Sequence, residues 1–374
     1  MNNYDLSSGY TACYINSTRD EAQQAINHLN AVGGLHVSYL APPADLSLDS
    51  IRADTQLFLV DWELDRLQES GLKVDYKGST FARRIRDKFE HVPIALTTNE
   101  MIPANRRRFF VEPYLFDAQI LKHAMLNDPK YVVGECVSLI TGHQTLEKAE
   151  KTWSGLMEVL GVIEQDEHPS DEEEKIGEAA PPLVKDNGGV TWLAPEIAKW
   201  IQEVLLAYPG ILYDSLHAAT YLGITVSEFL APDVQTVFQE ARYTGVLAPA
   251  EGRWWKGRLL SQAVDLMLQA GIMDSSVAPH FAPVFSQLHG RELQLSECVY
   301  SAKKPASRVC YVLKKPVRIE YSLGYLPDNR PLVMDEARVS FTAIQTSGEV
   351  FDEYFDASSR YFVDDIRKGR EDEL

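Results

Sequence analysis

What this chain lacks narrows its possibilities first. No apolar run approaches the roughly 18 residues that a membrane-spanning helix needs, so no transmembrane segment is expected. The opening residues, MNNYDLSSGY, have neither the basic flank nor the apolar stretch of a secretory leader, and the expected location is cytoplasmic. Cysteine is sparse: Cys13, Cys136, Cys298 and Cys310 stand far apart and form no CxxC pair. In a reducing compartment they are thiols. Cys298 and Cys310 could join His217, His280 or His289 around zinc, but the spacing is not that of metal ligands, and buried thiols are the commoner outcome. Positive charge is scarce too: 36 Lys and Arg face 54 Asp and Glu, for a net charge of −18. A protein that wraps nucleic-acid phosphates usually carries a basic stripe, so no direct nucleic-acid binding is expected. The local exception is Arg106-Arg107-Arg108 with Phe109 and Phe110, for which a solvated helix end is the commoner explanation. No P-loop, HExxH, GxSxG or GxGxxG motif occurs in a suitable context, and no repeat is visible, so the chain is not expected to be an enzyme.

What is present is ordinary for a globular protein: 45% hydrophobic and 24% charged residues over 374 positions. That length suggests two or three domains at roughly 150 residues each. The first third alternates short apolar runs with helical periodicity. Strands are expected at Thr11–Ile15, His36–Leu40, Gln56–Val60, Pro93–Leu96 and Ala118–Leu121. Helices are expected at Arg19–Val32, which Gly33-Gly34 stops, at Ser47–Ala53, and at Ser79–Phe89 with a basic outer face. Strands alternating with helices imply an α/β doubly wound, five-stranded parallel sheet covered on both faces. In such sheets the functional site lies at the carboxyl ends of the strands.

Three of those strand ends carry the residues for phosphoryl chemistry. Asp61 follows the apolar strand LFLV, Thr97 ends an apolar strand in VPIALTTNE, and Lys122 closes FDAQILK. Transfer of a phosphoryl group to an aspartate uses a carboxylate nucleophile, Mg²⁺ to neutralise the incoming charge, and a hydroxyl and an ammonium to hold the oxygens. The VDWEL run and this Asp, Thr, Lys order resemble the receiver domain of response regulators, over about a third of the chain. The resemblance implies that Asp61 is the phosphoacceptor, that Thr97 and Lys122 hold phosphoryl oxygens, and that Mg²⁺ is bound by Asp61 and the backbone carbonyl of Glu63. It implies a sensor histidine kinase or another phosphorelay protein as partner. One part of the pattern departs. The acidic pair that the family places after the first strand is replaced by Asn16 and Ser17, with Asp20 and Glu21 slightly later in the first helix. Mg²⁺ prefers carboxylates, so its binding is expected to be weak or absent, and a pseudo-receiver that acts by binding alone stands beside a working phosphoacceptor. The stretch YKGSTFARRIRDKFEHVPIALTTNE, residues 76–100, also resembles a divergent receiver subgroup of bacterial conflict and phage-defence phosphorelays, Detocs-like in kind.

The expected organisation is a receiver-like domain at 1–127, connecting helices at 128–163, an acidic flexible linker at 164–187, and a helical-plus-β domain of unknown type at 188–374. The linker's composition, EQDEHPSDEEEKIGEAAPP, has little to bury. Beyond it, helices are expected from Pro195 to Tyr208, Leu216 to Leu222, Val234 to Tyr243 and Trp254 to Ala270. A few strands broken by Pro305 and Pro316 follow, then a charged stretch, Val350 to Leu374, that ends in a loose tail. RWWKGRL, residues 253–259, is either a cation–π binding surface or, more commonly, core. Asp335 and Glu336 in PDNRPLVMDEARVSF could do acid–base work, but a salt-bridged turn leading into a helix is the commoner explanation. The alternative function is a non-phosphorylated adaptor that docks a partner through the receiver surface or the C-terminal domain.

Overall fold

A computed structural model describes residues 9–100, 115–162, 171–180, 192–274, 276–326, 334–348, 350, 352–355 and 357–369. The chain forms two compact units: Met1–Ile163 with Pro181–Glu203 and Thr244–Ala250, and Glu164–Ala180 with Val204–Tyr243 and Glu251–Leu374.

In the first unit, β1 (Tyr10–Ile15), β2 (Leu35–Leu40), β3 (Leu57–Asp61), β4 (Ile94–Thr98) and β5 (Ala118–Leu121) pair in parallel in the order β2-β1-β3-β4-β5. This is the doubly wound order of the flavodoxin-like folds, with β1 and β3 at the switch point. Every residue of β3 is buried, as a central strand covered on both faces requires. On one face, α2 (Gly78–Lys88) sets Phe81, Ala82 and Ile85 against Ile15, Phe58, Val60 and Ile94. On the other lies α1 (Arg19–Val32), buried through Ala22, Ala25, Ile26 and Leu29. A short α3 (Lys122–Asn127) leads into α4 (Pro129–Lys148), which packs against α1, β2 and β3. So α4, within the segment expected only to connect domains, is a covering helix of the sheet. Asp128 caps it by accepting the Tyr131 N–H at 3.2 Å.

The helix expected at Ser47–Ala53 does not form. Asp45 accepts the Ser47 N–H at 3.0 Å and Ser47 accepts the Asp49 N–H at 3.2 Å. These local side-chain bonds, after Pro42-Pro43, take the donors that a helical ladder would use. After α5 (Trp153–Leu160), the acidic stretch also departs from expectation: Asp171–Ala179 is a helix, α6, with Ile176 buried; residues 164–170 and 181–187 lie outside the described residues. Trp192, just beyond it, is buried, donates its indole N–H to Thr152 O at 3.1 Å and lies under the Lys151 ammonium. A helix, α7, then runs Ala194–Trp200 and passes into a π turn at Ile201–Leu205.

The second unit has two cores. One gathers β6 (Leu212–Tyr213), α8 (Ser215–Tyr221), β7 (Trp254–Trp255), α9 (Lys256–Gln269) and α10 (Ala278–His289) around Phe229, Phe238, Trp254, Phe281 and Phe285. The helix expected over Val234–Tyr243 is one short stretch, Pro232–Val237. The other core holds small antiparallel pairs: β8 (Arg308–Val309) with β9 (Pro316–Val317), and β10 (Ser322–Tyr325) with β11 (Ala337–Ser340). The loose end expected of the last, charged stretch falls on residues 370–374, outside the described residues. Ala357–Arg367 is a helix that buries Val363 and Ile366. All four cysteines are buried and free. No helix among the described residues is long and apolar enough to cross a membrane.

Candidate functional site at the carboxyl edge of the sheet

β3 is apolar until its last residue, so Asp61 is the first charge as the chain leaves the sheet. Parallel register puts Asp61 beside Thr97, and Thr98 beside Leu121, so Lys122 falls at the same edge. The three residues picked from sequence therefore come together. Lys122 Nζ lies 2.8 Å from Asp61 Oδ2 and 2.9 Å from Glu21 Oε1. Asp61 Oδ1 accepts the Glu63 N–H at 3.3 Å. Asp61 is 2% exposed and Thr97 is fully buried, with the Tyr14 hydroxyl as the neighbour of the Thr97 hydroxyl.

Asn16 and Ser17 occupy the loop after β1, both buried, and their polar atoms are spent on the protein itself. Asn16 Oδ1 accepts the Thr18 N–H at 2.8 Å, and its amide donates to the Tyr14 hydroxyl at 2.9 Å. Ser17 donates to the Glu63 carbonyl at 3.1 Å, the oxygen that the receiver pattern assigns to a metal. The Tyr39 hydroxyl donates to Asn16 O at 3.0 Å and fixes the same loop. Glu21 enters the site from the first turn of α1, whereas Asp20 is exposed.

Tyr14 was not picked from sequence. Its hydroxyl sits by Asn16 and Thr97 and feels the charges of both Asp61 and Lys122. The signal was there: Tyr14 and Asn16 are two apart, hence on one face of the strand. Gly78, the first residue of α2, has a purely steric role. A Cβ there would lie 2.1 Å from the Asp61 carbonyl oxygen, so only glycine lets the helix start against the strand end.

Electrostatics follow from two carboxylates sharing one ammonium in a dry setting. Burial pushes Asp61 above its ordinary value; the Lys122 charge and hydrogen bond and the Glu63 N–H oppose this without cancelling it, and Glu21 adds to the rise. Burial alone would lower Lys122, but the Asp61 charge and its hydrogen bonds to Asp61 and Glu21 win, and its value is raised. Burial, then the Asp61 charge, raise the Tyr14 phenol.

These donors do not fit Mg²⁺. A hard divalent cation asks for several oxygens free to turn toward it. Here one Asp61 oxygen faces an ammonium, the other faces an N–H, the Glu63 carbonyl accepts a hydroxyl, and Asn16 Oδ1 is taken. Among the described residues, no group of three His, Cys, Asp or Glu side chains is placed to hold a metal.

No family model and no curated protein sequence matches the chain. Among solved structures it is similar to a CheY-like response regulator receiver domain protein from Methanospirillum hungatei JF-1, at 15% identity over 37% of this chain and 98% of that one, with a TM-score of 0.29. It is also similar to the non-phosphorylated receiver domain of the stress response regulator RcsB from Escherichia coli (14% identity, 34% and 92% covered, TM-score 0.26). A third is the complex of the P1 domain of CheA3 with CheY6 from R. sphaeroides (16% identity, 31% and 83% covered, TM-score 0.23). Likeness this low carries no weight by itself. What the strand order of the N-terminal unit shows is a receiver-like, doubly wound α/β fold.

Elsewhere, Arg106–Arg108 and Asp328 and Arg330 lie outside the described residues. Trp254 and Trp255 of RWWKGRL are buried, so they are core and no open surface. Asp335 is held by Lys256, 2.8 Å from each oxygen, and by the Tyr213 hydroxyl at 2.5 Å, while Glu336 pairs with Arg338 at 3.1 Å. This is the salt-bridged turn, though it leads into strand β11.

Proposed function

We propose that the N-terminal unit is a pseudo-receiver: a response-regulator-like module that keeps the receiver's Asp, Thr and Lys, neutralises the aspartate with its own lysine, and acts by docking a partner. The observation that carries this is the pairing of Asp61 with Lys122. Its two oxygens are engaged by Lys122 and the Glu63 N–H, and the loop that would supply a metal's carboxylates supplies Asn16 and Ser17. In this reading Lys122 holds the edge loops together through Asp61 and Glu21, and the protein has no enzymatic output of its own. Calorimetric titration of Mg²⁺ into the wild type and Asp61→Asn tests it. No Asp61-dependent heat is expected; tight binding that Asp61→Asn removes would overturn it.

The second reading is a phosphoacceptor served by a sensor histidine kinase or another phosphorelay protein. It is favoured by the buried Thr97 hydroxyl beside Asp61, a group suited to a phosphoryl oxygen. An Asp61 oxygen would attack phosphorus in line, the bond to the donor histidine would break, and Lys122 and Thr97 would hold the transferred oxygens, with positioning and charge supplying most of the rate. A cytoplasmic place in an antiphage phosphorelay rests on residues 76–100 alone. Label transfer from a kinase encoded beside the gene, lost in Asp61→Asn, would establish this second reading.

A further inference from the structure

The second unit contains a cavity of about 290 Å³ that no role proposed above uses. Its wall is built from β6, α8, the start of α9, the β8–β9 hairpin and the segment entering β11. That size is at the lower end of small-molecule sites, roughly 300–1,000 Å³.

Its charge is unusual for so acidic a chain. Among the described residues, four cations line it (Lys256, Arg308, Lys314 and Arg338) against two carboxylates, Asp335 and Glu336. Lys256 is matched by Asp335, and Arg338 by Glu336. Arg308 and Lys314 remain, and neither makes an ion pair with a carboxylate among the described residues. Both are exposed, so they stand where an entering anion meets them. The hairpin holds them: Arg308 is in β8, and Lys314 sits at positive φ in the turn, its ammonium 4.5 Å from the centre of the Tyr311 ring. Two cations outside any ion pair among the described residues, one a planar fork and one a point charge with Asp214 as its nearby acid, suit a phosphate dianion.

A buried polar group adds an independent sign. Thr220 is 1% exposed, lines the cavity, and its hydroxyl has no hydrogen-bond partner among the described residues. Buried hydroxyls are normally bonded, and an exception asks for a missing partner. The rest of the wall includes three tyrosines, Tyr213, Tyr221 and Tyr311, with Tyr213 and Tyr221 edge-to-face at 5.7 Å. Aromatic walls take flat rings.

We propose that this cavity binds a small phosphorylated molecule with a flat ring, its phosphate on Arg308 and Lys314 and its ring against the tyrosines. The probe is phenyl phosphate, titrated into the full chain by calorimetry, with inorganic phosphate and phenol as partial probes. Saturable binding of phenyl phosphate is expected, at least about tenfold tighter than either partial probe. Arg308→Gln and Lys314→Gln are each expected to weaken it about tenfold or more, the loss of one charge-assisted contact. Both positions are exposed, so the variants should keep wild-type circular dichroism. Asp61→Asn should bind as the wild type does, which separates this site from the sheet edge. The proposal is overturned by an absence of saturable binding, by phenol binding as tightly as phenyl phosphate, or by affinity unchanged in folded Arg308→Gln and Lys314→Gln.

Discussion

The parallel sheet has a buried ion pair at each edge, and the two are built for different ends. At the amino edge, Arg86 and Asp117 meet at 2.7 Å. Arg86 also donates to the carbonyls of Glu90, Val92 and Leu115, and Asp117 accepts the Ile94 N–H at 2.7 Å. Almost every partner is backbone, so the pair staples the starts of β4 and β5 to the end of α2. At the carboxyl edge, the Lys122 ammonium bonds two side-chain carboxylates, Asp61 and Glu21. It fixes charges more than chain. The amino-edge pair ties chain segments to one another, whereas the carboxyl-edge pair joins charges at the strand ends, where sheets of this kind carry their sites.

The comparison breaks most readily at the amino edge. Arg86→Met strands Asp117 without its cation and should cost about 3–5 kcal/mol in urea unfolding. Lys122→Met should cost less, about 1–3 kcal/mol, because Asp61 can take up a proton, and adding Asp61→Asn should restore most of the loss. A double variant no more stable than Lys122→Met would show that the carboxyl edge is a structural staple after all. Gly78→Ala presses a methyl onto the Asp61 carbonyl and should cost about 1–3 kcal/mol; wild-type stability would mean that α2 shifts freely.

The smallest effect is in pH. Asp61 has its folded value raised above 3.8, so its contribution to stability is complete below the unfolded value and is lost as pH rises through the folded one. Measured against Asp61→Asn, which does not titrate there, the wild type should therefore lose ground as pH climbs from about 3.8 toward neutrality. A difference that moves the other way would mean that Lys122 lowers Asp61 below its ordinary value.

The sheet was legible because its strands are short apolar runs and α1 has a clean apolar stripe; Arg19–Val32 has the same ends in sequence and structure. Asp61, Thr97 and Lys122 were legible because each ends such a run. The capture of Lys122 by Glu21 was not, since it joins residues 101 positions apart. The helix at Asp171–Ala179 hid in an acidic composition, because a single buried Ile176 gives no periodic signal. The helix Ala278–His289 hid behind Pro279 and Pro283; Pro279 falls in the first turn, where a missing N–H costs little. The cavity of the second unit draws on segments more than 100 residues apart, and no local pattern announces it.

The central claim is that Asp61 is neutralised by the protein's own lysine and needs no metal. Intact-mass measurement of the full chain after incubation with acetyl phosphate, with and without Mg²⁺, tests it most directly. The expected result is an unmodified mass in both conditions, the same as for Asp61→Asn. A phosphorylated species that forms only with Mg²⁺ and disappears in Asp61→Asn would contradict it.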